Sequence, residues 1–186
     1  MELFEKELES QLIFDGKVVH LYKDKVELPD GKTSFREYVK HLGAVCVIPV
    51  TDENEVLLVR QYRYAVGEIL TEIPAGKLDF SDEDPMSAAK RELLEETGAV
   101  ASEIVPLGIY YGSPAIMGEK IYMYLAKGLS FGSQQLDDGE FLDVIKMPIE
   151  DAVKNVLDGN FRDGKTQSAI MRAAAVLFPD IFTKIN

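Results

Sequence analysis

Between Gly76 and Ala99 the chain reads GKLDFSDEDPMSAAKRELLEETGA, and four of its glutamates, Glu83, Glu92, Glu95 and Glu96, gather there with Arg91. The run from residue 85 to 97 is the clearest helix in the sequence. Asp84 is a good N-cap, Pro85 suits the first helical position and Gly98 suits the C-terminal cap. Residues three and four apart on a helix are neighbours, so Glu92, Glu95 and Glu96 share one surface. Each like-charge pair costs about 0.2–0.5 kcal/mol when nothing neutralises it. The helix dipole adds about 0.3–1 kcal/mol per exposed carboxylate in the last turn. A helix selected for stability alone would carry Lys or Arg there. Breaking a local rule repeatedly points to function.

The bland alternative is a solvated acidic face, partly neutralised by Lys90 and Arg91. Against it, Glu96 lies three residues after Leu93 and seven after Ala89, so it borders the apolar stripe of Met86, Ala89 and Leu93. A carboxylate so placed is expected to be half-buried and to want a cation. Mg²⁺ suits such a site: it takes oxygen ligands, keeps several waters and is held by one or two carboxylates plus substrate phosphates. Mn²⁺ fits similar ligands. Ala75 or Gly76, in the loop before the helix, offers a backbone carbonyl. The two histidines, His20 and His41, show no spacing suited to zinc.

These residues must be positioned by the rest of a 186-residue chain, the length of one domain with a small appendage. Hydrophobic residues make up 46% and charged residues 28%, an ordinary globular composition. The net charge of −12 argues against a nucleic-acid backbone as partner, though not against a small anion met by a local metal ion and a few arginines. Cys46 is the one cysteine, so no internal disulfide forms, and its apolar surroundings LGAVCVIPV predict a buried thiol. The start, MELFEKELES, lacks the basic then apolar pattern of a secretory leader, and no apolar run approaches the roughly 20 residues of a membrane span. A cytoplasmic protein with no membrane partner is expected.

Residues 1–10 read as a short helix or arm. Short strands are predicted from Gln11 to Val39, with Pro29-Asp30-Gly31 as a hairpin turn. Further strands are expected at 43–50, 55–61, 69–73, 104–111, 119–126 and 140–147. Two closing helices are expected near 149–158 and 165–177. The stretch 128–139, GLSFGSQQLDDG, reads as a mobile loop. Strands outnumber helices without a regular strand–helix alternation, an α+β or α/β/α pattern.

The same acidic stretch resembles the signature of the Nudix hydrolases: Gly, five residues, Glu, seven residues, then Arg-Glu-apolar-x-Glu-Glu-x-Gly-apolar. Arg91 to Ala99 matches the second half throughout, and Glu83 has the seven-residue gap to Arg91. Six residues rather than five separate Gly76 from Glu83, a departure that leaves the role of Glu83 open. Gln61-Tyr62-Arg63, Glu72 to Gly76, Ser113-Pro114 and Asp163-Gly164-Lys165-Thr166 resemble the ADP-ribose pyrophosphatase branch, although Ala115 stands where that branch has glycine.

The resemblance implies an α/β fold, the Nudix α/β/α sandwich with a mixed sheet. A small N-terminal antiparallel β region (residues 1–40) would serve dimerisation, and residues 41–186 would form the hydrolase domain. It implies a homodimer whose N-terminal strands help form the partner's site. It implies Glu92 and Glu96 as metal ligands, assisted by Glu95 and the Ala75 carbonyl, with Arg91 orienting the glutamates in the catalytic set. Arg36, Arg63, Glu72 and Pro114 are the expected substrate residues, the two arginines meeting a diphosphate bidentately. The implied reaction is hydrolysis of the diphosphate bond of ADP-ribose to AMP and ribose 5-phosphate. Two residues are candidates for the base, Glu119 and Glu140, with Glu119 the first choice. Phe14, Tyr22, Phe35 and Tyr64 are the candidates for stacking on adenine. Other nucleoside diphosphate sugars, an oxidised nucleotide, or a non-catalytic ligand-binding module on the same fold are the alternatives.

Overall fold

The computed structural model describes residues 3–181. Its N-terminal part is an antiparallel meander of β1 (Lys6–Asp15), β2 (His20–Glu27) and β3 (Thr33–Lys40). The β2–β3 hairpin closes as expected: Gly31 has φ +82° and donates its N–H to the Leu28 carbonyl at 2.9 Å.

The expected helix or arm over residues 1–10 is corrected: from Lys6 the chain is a strand, its backbone satisfied by pairing with β2. Two register shifts explain the misreading. Between Glu7 and Glu9, and again between Leu12 and Phe14, one residue of β1 has no partner on β2. Each bulge interrupts the alternation by which a strand announces itself.

The remaining strands form two sheets. In one, β5 (Glu55–Arg63) lies between β10 (Leu142–Pro148) and β6 (Glu68–Glu72), all antiparallel. In the other the order is β7 (Ala75–Lys77), β4 (Ala44–Pro49), β9 (Ile121–Phe131), β8 (Ala99–Tyr110). Here β4 and β9 run parallel while the outer pairs are antiparallel, so the sheet is mixed. Both β8 and β9 are longer than expected. Gly128 to Phe131, read as loop, pairs with the start of β8 (Ala99↔Phe131, Val100↔Ser130), which shortens the connecting loop. Glycine and serine in that stretch mimic a loop, but pairing satisfies their backbone.

Three helices follow the predicted spans: α1 (Pro85–Thr97), α2 (Ile149–Leu157) and α3 (Gly164–Leu177). Every residue of β4 is buried, and its two faces serve two cores. Ala44, Cys46 and Ile48 pack with Ile149, Val153, Ile170 and Ala173 of α2 and α3. Val45 and Val47 pack with Ala88, Ala89 and Leu93 of α1. A strand covered on both faces reads as a continuous apolar run, as AVCVIP does. Burying each such Val, Ile or Leu contributes about 1.5–3 kcal/mol. This arrangement, helices on both faces of a mixed sheet, seats the acidic end of α1 beside β7.

Candidate active site

Helix α1 is fixed at both ends. The Asp84 carboxylate accepts from the Ser87 N–H at 3.0 Å and its hydroxyl at 2.8 Å. Gly98, at φ +70°, donates to the Leu94 carbonyl at 2.8 Å. Ala88, Ala89 and Leu93 bury one stripe, which rolls Glu96 inward until it is 3% exposed. Its carboxylate accepts from the Ala75 N–H at 3.2 Å. Glu92 lies against β7. A Cβ on Gly76 would overlap the Glu92 carboxylate where it now lies, so the glycine lets that carboxylate rest against β7.

Burial and the neighbouring charge of Glu92 push Glu96 up to about 8. Burial also raises Glu92, to about 7, against the opposing charge of Arg91. Among the described residues Arg91 is the cation that pairs with this cluster. It donates to Glu92 at 2.7 Å and Glu95 at 3.1 Å, reaches Glu83 at 3.4 Å, and approaches Asp79 at 3.6 Å. Glu83 also accepts from the Asp79 N–H at 2.7 Å, so the extra residue in the preceding loop leaves it within the cluster.

The expected metal ligands are therefore not already assembled. Among the described residues no three carboxylates or imidazoles are gathered to hold an ion. Arg91 draws Glu92 and Glu95 to its side, while Glu96 turns to Ala75, whose N–H rather than carbonyl makes the contact. The donor chemistry nevertheless fits a hard divalent cation. The donors are all oxygen, and burial raises both carboxyls, Glu96 further through the charge of Glu92. The Arg91 Nε is itself buried without a hydrogen-bond partner among the described residues, a sign of an incompletely satisfied cluster.

Of these groups Asp79, Arg91, Glu92 and Glu95 open into a cleft of about 760 Å³, within the usual size for small-molecule sites. Arg63 and Lys165 line its other side. Arg63, at the end of β5, donates through Nε and Nη2 to the two oxygens of Glu72 at 2.8 and 2.6 Å. Glu72, at the end of β6, is 1% exposed. Lys165 Nζ donates to the same carboxylate at 2.6 Å and lies 3.0 Å from Asp163. Burial alone would raise Glu72. The Arg63 hydrogen bonds and the Lys165 charge outweigh it and hold the carboxyl below its ordinary value. Burial likewise disfavours the charge on Lys165, but Asp163 and Glu72 hold its pKa above the ordinary value.

Of the other expected residues, Glu119 and Glu140 both line the cleft. Glu119 faces the His41 ring at 3.5 Å. The charge of Glu140 is felt at both Glu92 and Glu96. Its loop is moored to the end of α1: the Gly132 N–H donates to the Gly98 carbonyl at 2.7 Å and the Gln135 N–H to the Glu95 carbonyl at 2.9 Å. The Gln134 side chain adds a bond to the Glu96 carbonyl at 2.6 Å.

Glu72 braces the site from beneath and does not line the cleft. Pro114 shapes the turn closed by the Ser113 carbonyl and is not a cleft residue either. Arg36, on β3, is exposed and bound to Glu5, away from this chain's own cleft. None of Phe14, Tyr22, Phe35 and Tyr64 lines it, whereas Tyr110 does. Asp163 and Lys165, quoted in the sequence only as part of the branch resemblance, had no role assigned to them. Their signal was the segment Asp-Gly-Lys-Thr, an N-cap followed by a cation in the first turn.

A model of the NUDIX domain matches residues 40–167. The chain belongs to the Nudix family. A second model, the nucleoside diphosphate sugar hydrolase N-terminal domain, matches residues 5–39. The Nudix chain is 44% identical over 170 residues to an ADP-ribose pyrophosphatase of Bacillus subtilis (strain 168), covering 90% of this chain and 91% of the relative. It is 43% identical over 168 residues to a methanol dehydrogenase activator of Bacillus methanolicus, covering 89% and 90%. A crystal structure of an ADP compounds hydrolase shares the fold with a TM-score of 0.82 at 20% identity, covering 97% of this chain and 98% of that one. The protein is a Nudix pyrophosphohydrolase. No helix among the described residues is long and apolar enough to cross a membrane.

Proposed function

We propose that this Nudix enzyme hydrolyses the diphosphate bond of ADP-ribose, or of a related nucleoside diphosphate sugar, to AMP and ribose 5-phosphate. One observation carries the reading: a single cleft sets the Arg91-paired carboxylates Glu92 and Glu95, with the buried Glu96 beside them on the same helix, opposite a braced guanidinium, Arg63. Glu92 and Glu96 would hold Mg²⁺ or Mn²⁺, with Glu95 assisting. Such an ion neutralises phosphate oxygens and lowers the pKa of a bound water.

Arg63 spends Nε and one Nη2 proton on Glu72 and keeps its Nη1 edge for diphosphate oxygens. Water adds to one phosphorus, the bridging P–O bond breaks, and the displaced phosphate leaves as the second product. Glu140 takes the water's proton. Its electrostatic reach to Glu92 and Glu96 favours it over Glu119, which is engaged with His41. Arg91 holds Glu92 and Glu95 in place.

The N-terminal strands, residues 1–40, form the dimer contact in this reading, and residues 41–186 the hydrolase domain. Leu12, Ile13, Phe14 and Phe35 are exposed on the N-terminal sheet, as an unpartnered interface requires. A partner copy would cover them and receive Arg36 and an aromatic ring at its own cleft. The setting is the cytoplasm.

The test is turnover of a panel of nucleoside diphosphate derivatives with Mg²⁺, products being separated by chromatography. ADP-ribose is expected to be cleaved fastest. A hexose derivative cleaved faster moves the substrate assignment, and no turnover of any returns the cleft to ligand binding alone. Glu140→Gln is expected to lower kcat about 10²–10⁴-fold, the usual worth of a general base. A larger loss in Glu119→Gln transfers the role.

A further inference from the structure

Glu72 belongs to a closed ring of contacts that joins the end of β6 to the start of α3. From Glu72 the ring passes to Lys165 Nζ at 2.6 Å and on to Asp163 at 3.0 Å. The Asp163 carboxylate accepts from both the N–H and the hydroxyl of Thr166, at 2.9 and 2.5 Å. Thr166 Oγ1 in turn accepts from the N–H of Ile73, the residue after Glu72, at 3.0 Å. All members but Asp163 and Lys165 are fully buried, and those two are nearly so. Arg63 hangs from this ring by two bonds while its own side chain is 40% exposed.

A half-exposed arginine on a lone carboxylate is loosely held and contributes little. A carboxylate whose second oxygen is shared with a buried lysine has its orientation fixed from two sides. We propose that Lys165 is a positioning residue: acting through the shared Glu72 carboxylate, it fixes the direction in which Arg63 enters the cleft. Lys165 thus acts on Arg63 from a separate element, 93 residues along the chain from Glu72. Its kinetic consequence rests on the reading of Arg63 as a diphosphate ligand; its structural consequence does not.

The experiment has two arms. In the first, hydrogen exchange of the Arg63 Nε–H is followed by ¹⁵N NMR in wild type, Lys165→Met and Lys165→Arg. Exchange at Arg63 is expected to be at least about tenfold faster in Lys165→Met, with the Val45 and Val47 amides unchanged and with recovery in Lys165→Arg. Unchanged exchange at Arg63 overturns the proposal. So does equal acceleration at Arg63 and β4, which would make Lys165 a general stabiliser.

In the second arm, KM for ADP-ribose is expected to rise about tenfold in Lys165→Met with kcat within about twofold. The same change made in an Arg63→Ala background should leave KM where Arg63→Ala puts it. A further rise there means that Lys165 touches the substrate directly, and the positioning role falls. Absence of turnover in the wild type would defeat the substrate reading alone, because the exchange arm still decides the role of Lys165.

Discussion

Two glutamates buried beneath the same site are in opposite electrical states. Glu72 accepts three bonds from two cations and is held below its ordinary pKa. Glu96, buried almost as deeply, accepts one backbone N–H and is pushed up to about 8. Burial penalises both; only the partners differ. A carboxylate supplied with cations by the protein is a structural fixture. One left without them is a vacancy of charge that a ligand can fill, and perturbed groups in clefts mark such sites. The difference separates the part of the site whose charge the protein itself pairs from the part it leaves with a single backbone donor.

Substitution at each glutamate should break this symmetry in opposite ways. Glu96→Gln is expected to lose more than about 100-fold in kcat/KM, since even an outer partner of a metal ligand is worth about 10–100-fold. The same variant should melt no lower than wild type in chelator, because the amide removes an uncompensated buried charge. A melting point well below wild type would show Glu96 to be structural after all.

Glu72→Ala should do the reverse to stability, costing about 3 kcal/mol in denaturant titrations by stranding its cations. Its pH signature follows from the lowered pKa. The Glu72 contribution is fully present above its ordinary value of 4.5 and is lost as pH falls through its lower folded value. The acid limb of the wild-type stability curve should therefore flatten in Glu72→Gln, measured by denaturant midpoints between about pH 2 and 6.

Gly76→Ala sharpens the comparison from the loop side. The new methyl overlaps the Glu92 carboxylate, the end of a flexible side chain, so that carboxylate is expected to swing away from β7. Activity should fall while Glu72-dependent acid behaviour stays as in wild type. The smallest effect belongs to Asp84→Ala, which removes the α1 cap for about 1 kcal/mol and should leave kcat nearly unchanged.

The carboxylate helix was legible because its signals are local: Asp84, Pro85 and Gly98 punctuate it, and the 3.6-residue period places Glu96 beside the apolar stripe. β4 was legible as an unbroken apolar run. What escaped was non-local. The two bulges hid the strand character of β1, since pairing with β2 rather than composition decides it. Glu72 was expected to touch substrate, yet its neighbours are contributed by β5 and by α3. No pattern within its own segment announces either. Arg91 shows the same limit. Its neighbours in sequence placed it among the glutamates, but not the competition by which it keeps Glu92 and Glu95 from converging with Glu96.

The carbonyls of Glu95, Glu96 and Gly98 each receive a donor from the segment 132–135. Orphaned acceptors at a helix terminus are ordinarily left to water. Here they tether the strand-to-strand connection that carries Glu140, so the helix and that connection travel as one piece. The distance from Glu140 to the acidic wall is thereby set by the number of residues between Gln135 and Glu140. Lengthening that short span would slacken the tether, whatever amino acid were inserted.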